Sequence, residues 1–255
     1  MRQIEAAGLG EIDWSRPWLA PWRERGEPLA RRAIDAGVAA ALNADERRAD
    51  VALAAGRLHF VAHADLPSGE AYETFIARRG AVPTRDNLHD FFNGLVWLAQ
   101  PRLKRRLNEL QADQLTLAPV PGARGAVRDA LTVFDENAAT WQAPARLVDA
   151  LRHRDWQALF VTHRRAWSDA CLTLFGHALM EKLVRPRKAI TAHVWAIPEC
   201  ADPQTFLLDA LEPEALAARV PALRPLPLPV LGVPGWWPAN DDAAFYRDAA
   251  VFRPA

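Results

Sequence analysis

Lysine is almost missing from this chain. Lys104, Lys182 and Lys188 are the only lysines among 31 basic residues, and arginine supplies the rest. Cysteine is as scarce: Cys171 and Cys200 lie far apart and lack the CxxC spacing of a zinc or redox site, which argues against a disulfide framework. No run approaches the roughly 18 apolar residues of a membrane span. The opening MRQIEAAGLGEIDW lacks the apolar core of a signal peptide. Net charge is absent too, with 31 acidic residues against 31 basic ones. That balance leaves no electrostatic footprint for nucleic acid and no polybasic attraction to anionic lipid. The one basic stretch worth testing is ARLVDALRHRDWQALFVTHRRAW. Glycine-rich phosphate loops and GxSxG elbows do not occur. These absences point to a cytoplasmic protein whose partner is a small molecule or another protein, not nucleic acid and not a membrane.

What is present is an ordinary globular composition, 50% hydrophobic and 24% charged over 255 residues. Ala, Arg, Leu and Pro dominate, as a GC-rich coding sequence would give. Against that pressure, residues with AT-rich codons gather in three stretches. The first holds Asn87, Phe91, Phe92, Asn93, Lys104 and Asn108; the second Phe134 and Asn137; the third Phe175, Lys182, Lys188 and Ile190. Such clustering marks positions that resist drift.

The local patterns predict a helix-rich α+β fold, a single domain with a small, mainly antiparallel sheet. Residues 1–56 read as an N-terminal arm and helix. Trp14, Trp18 and Trp22 are interrupted by Pro17 and Pro21, which predicts an irregular arm, and helical composition follows from Leu29 to Asn43. A strand is expected near His59, then a helix capped by Ser68 and stopped at Gly80. Thr84 is the expected N-cap of a helix to about Ala99, and Pro101 opens another. Ala118 to Gly125 reads as a loop. ALTVFDENAATWQA reads as a strand, a turn at Asp135-Glu136-Asn137 and a second strand. Helices are expected over Pro144–Arg152, Asp155–Trp167 and Leu172–Val184, with a strand around Val194 and two short helices split at Pro213. Residues 221–255 are a Pro-rich wrapping tail, too rich in proline for regular structure.

Four polar groups could carry chemistry. On the Thr84 helix, Asp86 with Asp90 and His89 with Asn93 share one polar face, opposite Leu88, Phe91 and Leu95. His177 and Glu181 stand four residues apart on the next candidate helix, without the second histidine of a zinc-protease motif. His193 sits in mid-strand beside Trp195. Asp129, Asp135, Glu136 and Asn137 offer acceptors that suit either a turn or a hard cation.

The strings YETFIARRGAVPTRDNLHDFFNGLVWLAQPRLKRRLN, RDALTVFDEN, FGHALMEKLVRPRKAITAH and PLPVLGVPGWWPAN, in this order, resemble an uncharacterised proteobacterial family, domain of unknown function 3025. The resemblance runs from about residue 57 to the C-terminus, so that 57–255 is the family-like core, and it implies no activity. The residues themselves support a hydrolase-like, metal-assisted pocket as the leading expectation. In it His89, Asp90, Asn93 and Lys182 act on substrate, while His177, Glu181 and His193 hold a divalent metal as the cofactor. The alternative is a non-enzymatic interaction module in which the same polar residues form a buried hydrogen-bond network.

Overall fold

The structure, a computed structural model, describes residues 8–45, 51–117, 125–212 and 225–254. Its contacts divide the chain into two compact units. The first takes Trp22–Asp135 with the residues up to Trp14, and the second takes Ser15–Pro21 with everything from Glu136 onward. The fold is helix-rich α+β, as the sequence patterns predict.

The first unit begins with α1 (Ala20–Ala36, from Trp22 on) and α2 (Val38–Asn43). The expected arm is irregular up to Leu19, but from Ala20 on it is a helix of 17 residues with Pro28 inside it. Packing explains the reversal. Gly26 meets the Trp14 ring so closely that a Cβ there would come within 2.3 Å of it, and Trp22, Leu29 and Ala33 are buried. That burial outweighs the hydrogen bond that Pro28 cannot make. Gly37, at φ 85°, separates the two helices. Asp86 caps α2, accepting from the Val38 N–H at 2.7 Å.

A small hairpin, β1 (Ala52–Leu53) with β2 (Gly56–Arg57), leads into β3 (His59–Ala62), which pairs in parallel with β4 (Ala81–Thr84). Between them lies α3 (Tyr72–Arg79), stopped by Gly80 at φ 66°. It starts three residues later than expected, with Ala71 and not Ser68 at the N-cap. Thr84 is the end of a strand and not a cap. Asn87 caps the next helix, α4 (Leu88–Ala99), accepting from the Asp90 N–H at 2.8 Å. Asp86 therefore lies outside α4. The Asn87 side chain wins because it offers an acceptor one turn before the apolar run, whereas Pro83 and Thr84 complete the ladder with β3. After α4 comes α5 (Pro101–Leu117), with Pro101 in its first turn as expected. The expected Ala118 loop falls outside the described residues but for Gly125.

The segment read as strand and turn is a helix, α6 (Ala126–Asn137), running into β5 (Ala138–Gln142). Its inward positions Leu131, Phe134 and Asp135 are three or four apart, the helical spacing, and the alternation of Leu131 with Val133 goes unused. The unit boundary falls within the last turn of α6.

The second unit is built on a sheet of four strands in the order β6-β5-β7-β8. Here β6 is Cys171–Leu174, β7 is Thr191–Ile197 and β8 is Leu226–Pro229. Two of its pairings are antiparallel and β5 with β7 is parallel. Around it lie α7 (Ala145–Arg152), α8 (His177–Val184) and α9 (Pro203–Ala210). The helix expected over Leu172–Val184 is thus split into β6 and α8, since Leu172 and Leu174 pair with β5 before Gly176 turns the chain. Asp155–Trp167 forms a π turn over Ala158–Thr162 and a 3-10 turn over Arg164–Asp169 instead of an α-helix. A second helix after Pro213 falls on residues outside those described.

The tail is more regular than its prolines suggest. Val230 N–H donates to the Ile190 carbonyl at 3.0 Å, so by the two-residue period the N–H groups of Leu226 and Leu228 face β7 as well. Pro227 and Pro229 fall where an N–H would face away from the sheet. Edge position and register together make proline tolerable in this strand. Beyond it, Trp236 packs 6.1 Å from Trp18, and Arg16 lies 5.6 Å from both the Trp18 and Trp237 rings. Among the described residues no helix is long and apolar enough to cross a membrane.

Candidate active site

The centre of the first unit is α4, buried continuously from Asp90 to Leu98. Gly94 lets Leu42 approach to where a Cβ would stand within 2.2 Å, so α2 lies directly on α4. A helix enclosed this way must satisfy its polar side chains inside the protein. Asp90 and Asn93 are therefore not on a solvated face, as the sequence pattern suggests, but 5% and 6% exposed. Asp90 accepts from the Arg85 backbone N–H at 2.6 Å and from Arg85 Nε at 3.1 Å. Asn93 donates through Nδ2 to the Tyr72 hydroxyl at 3.0 Å and accepts from Lys104 Nζ at 2.8 Å. His89 is half-buried on the same helix.

Helix α5 supplies the rest. Leu103, Leu107 and Leu110 form its apolar stripe, and beside them Lys104, Asn108 and Gln111 form a polar stripe with the same spacing. All six are buried. Lys104 Nζ donates to Asp135 at 2.6 Å and lies 5.4 Å from the Trp97 ring centre. Asn108 donates to the Glu73 backbone carbonyl at 3.0 Å and to the Glu73 carboxylate. Gln111, with its NH₂ turned toward Glu73, reaches both carboxylate oxygens at 3.2 and 3.3 Å.

One lysine thus faces two carboxylates, and the consequence appears at Glu73. Burial and the Asp135 charge push its carboxyl up to about 7, against the opposing pull of Lys104, Asn108 and Arg128. Tyr72 is held well above the usual phenol range by burial and by the Glu73, Asp90 and Asp135 charges, so it stays a neutral hydroxyl. Asn108 also lines an open groove of about 270 Å³ between α3, α5 and the β1–β2 hairpin, with Leu53, Ala77, Arg105 and Arg106. Ala77 lies one turn beyond Glu73 on α3, so groove and carboxylate share one side of that helix.

The second unit holds the other expected residues. His177 is buried at the start of α8, Glu181 is half-buried one turn on, and Lys182 is exposed. The His177 face is therefore turned inward at its N-terminal end. Strand pairing puts Ala138 beside His193, and Gly176 stands so close to the α6–β5 junction that a Cβ would meet the Glu136 carbonyl at 2.4 Å. The end of α6, the start of α8 and the middle of β7 thus converge. Asn137 Nδ2 donates to the Thr191 carbonyl at 3.0 Å and meets His193 Nδ1 at 2.8 Å. Because that amide nitrogen can only donate, the neutral imidazole carries its proton on Nε2. Burial, then the Lys182 charge, lowers the His193 pKa below its ordinary value and favours that neutral form. His89 belongs to the first unit, and His177 and His193 to the second. Among the described residues no three His, Cys, Asp or Glu side chains gather in a way that could hold a metal ion.

The sequence patterns singled out Asp90 and Asn93, and the AT-rich-codon positions included Lys104 and Asn108, but Tyr72, Glu73 and Gln111 were passed over. Their signal is the second stripe on α5, polar residues repeating at Lys104, Asn108 and Gln111 alongside the leucines. The rarity of lysine is another, since Lys104 is engaged by Asp135, Lys188 by Asp248 at 3.0 Å, and Lys182 acts on His193.

No curated protein and no solved structure matches the chain. A family model does, over residues 58–255, and its description is a protein of unknown function, DUF3025. With a buried polar cluster in the first unit and the α6–α8–β7 junction in the second, both largely within the matched residues, the chain belongs to the DUF3025 family.

Proposed function

We propose that the first unit works as a hydrolase-like acid–base site with Glu73 as its proton-transferring group. The observation that carries this reading is the Glu73 carboxyl, held at about 7 among buried partners beside an open groove. A carboxyl at that value both gives and takes a proton near neutrality, which is the requirement for a general acid or base. A substrate in the groove would meet Asn108 first. That amide orients the Glu73 carboxylate, Lys104 offsets its charge, and Tyr72 remains protonated as a donor. Asn93 fixes both Lys104 and Tyr72, and Asp90 holds the start of α4 through Arg85. His89 stands on the same helix as a further candidate.

A metal-assisted version finds no support in the second unit, where His177, Glu181 and His193 do not gather as a donor set for a divalent cation, although Lys182 acts on His193. The reading places the protein in the cytoplasm, where the exposed free thiols Cys171 and Cys200 stay reduced. Its partner is a small molecule, in keeping with a groove of this size and a zero net charge.

The test is a carboxyl-carbon NMR titration of Glu73 with a fragment screen read at Asn108 and Ala77. A Glu73 midpoint near 7, and fragments that shift those amides in the native chain but not in Glu73→Gln, support the reading. A midpoint at the ordinary carboxylate value ends it. A second reading, a non-enzymatic module locked by its polar network, is favoured by Asn93, which uses both ends of its amide inside the protein. Glu73→Gln that still binds the same fragments would select it.

A further inference from the structure

In the second unit, Arg154 occupies a backbone position that favours glycine. Helix α7 ends in a Schellman motif: the Asp155 N–H reaches the Ala150 carbonyl at 2.9 Å, and the Arg154 N–H reaches Leu151 at 3.1 Å. The residue after the cap in that motif turns left-handed, and Arg154 sits there at φ 50°. Every other positive-φ position among the described residues is a glycine. A side chain in this region costs about 1–2 kcal/mol. Contacts within the chain do not offset it, because the Arg154 guanidinium makes no hydrogen bond or ion pair among the described residues.

Arg154 lines an open groove of about 340 Å³. Arg253 stands with it, and Trp156, Thr191, Pro227 and Pro229 form the walls. Arg253 is fixed in place by its own backbone, whose carbonyl accepts from Trp156 Nε1 at 2.7 Å. Its Nε donates to the Ala250 carbonyl at 3.3 Å, and its two NH₂ groups meet no acceptor among the described residues. Among the described residues the lining contains no carboxylate. The nearby acids are engaged elsewhere: Asp248 with Lys188, Asp149 with Arg152, and Asp155 with the Ala158 N–H. Pro227 and Pro229 turn no N–H toward this side, so an extended peptide would meet carbonyl acceptors alone and could not add to β8 as a fully paired strand.

We propose that this groove is an anion-binding site, with Arg154 and Arg253 as paired anchors for a small molecule bearing a phosphate or a carboxylate group. Guanidinium forks match the oxygens of either group. Trp156 and the two prolines supply the apolar wall, and the strain at Arg154 persists because glycine would remove one of the anchors. The site is independent of the Glu73 cluster.

The experiment titrates the full chain at low salt with pyrophosphate and, separately, with citrate, following tryptophan fluorescence and heat of binding. Saturable binding of one probe at millimolar concentration or below is expected, and the probe that saturates identifies the group. Arg154→Gly should raise the melting temperature and weaken binding about tenfold, and Arg253→Gln should weaken binding without raising the melting temperature. Failure of both probes to saturate overturns the proposal. So does an Arg154→Gly protein that binds as tightly as the native chain, or one that melts lower.

Discussion

Replacing Lys104 by methionine would leave the length and apolar stem of the side chain and remove its charge. Asp135, 8% exposed, would then keep a negative charge with its cation gone, and the Asn93 carbonyl oxygen would lose the donor that reaches it at 2.8 Å. Two charge-assisted hydrogen bonds at about 1.5–3 kcal/mol each set one measure of the loss. Breaking a buried ion pair sets another, about 3–5 kcal/mol, and the two describe the same interactions and are not summed. Lys104→Met should therefore destabilise the first unit by about 3–5 kcal/mol. Changing Asp135 to leucine in the same protein removes the buried charge that Lys104 offset, so the double variant should recover part of that loss. Urea unfolding followed by circular dichroism reports the difference directly. A single variant within about 1 kcal/mol of the native chain would refute the reasoning. A double variant no better than the single one would show that the Asp135 carboxylate is not the cause.

Glu73→Gln should change the pH dependence of stability. With its folded pKa raised from 4.5 to about 7, Glu73 carries no penalty below pH 4.5, an increasing one between 4.5 and 7, and the full penalty above 7. That penalty is on the order of 3 kcal/mol, so the variant should be more stable than the native chain at pH 8 and no different at pH 4. Gly176→Ala should be severe, because its Cβ would meet the backbone of Glu136, Asn137 and Ala138 within 2.6 Å; a loss of about 3 kcal/mol or no folded protein is expected in thermal melts. Asn87→Ala removes the cap of α4 and should cost about 1 kcal/mol in denaturant unfolding. Imidazole NMR should place the His193 midpoint below its ordinary value of 6.5, and Lys182→Ala should move it upward by removing a neighbouring positive charge.

Helices whose apolar residues repeat strictly, α4 and α5, were legible from the chain, as was β7 from its β-branched alternation. Failures cluster where two periods fit one string. Leu131, Val133 and Phe134 satisfy a strand and a helix equally on paper, and the inward need of Asp135 to reach Lys104 settles the choice. Thr84 and Asn87 are both good caps, and the pairing of β4 with β3 removes the first. The N-terminal tryptophans illustrate a different limit, since Gly26 beneath Trp14 stabilises a helix that its prolines oppose. At the candidate site, Asn93 and Asp90 were visible as polar residues on a named helix. Glu73 was not, because an exposed-looking position on a short helix gives no sign that Asn108 and Gln111, some 35 residues on, will enclose its carboxylate.

The alternating prolines of β8 have a consequence for how this chain behaves before it is fully folded. A strand whose outward side offers only the Pro227 and Pro229 carbonyls can pair fully once and then presents an incomplete template to a second molecule. Leu226 and Leu228 can therefore be as apolar as the sheet needs without seeding fibrils, because any chain that approached from the solvent side would find ring carbons in place of donors. Sheet growth halts at this edge by chemistry and not by coverage, so solubility there should withstand loss of the surrounding tail better than loss of Pro227 and Pro229.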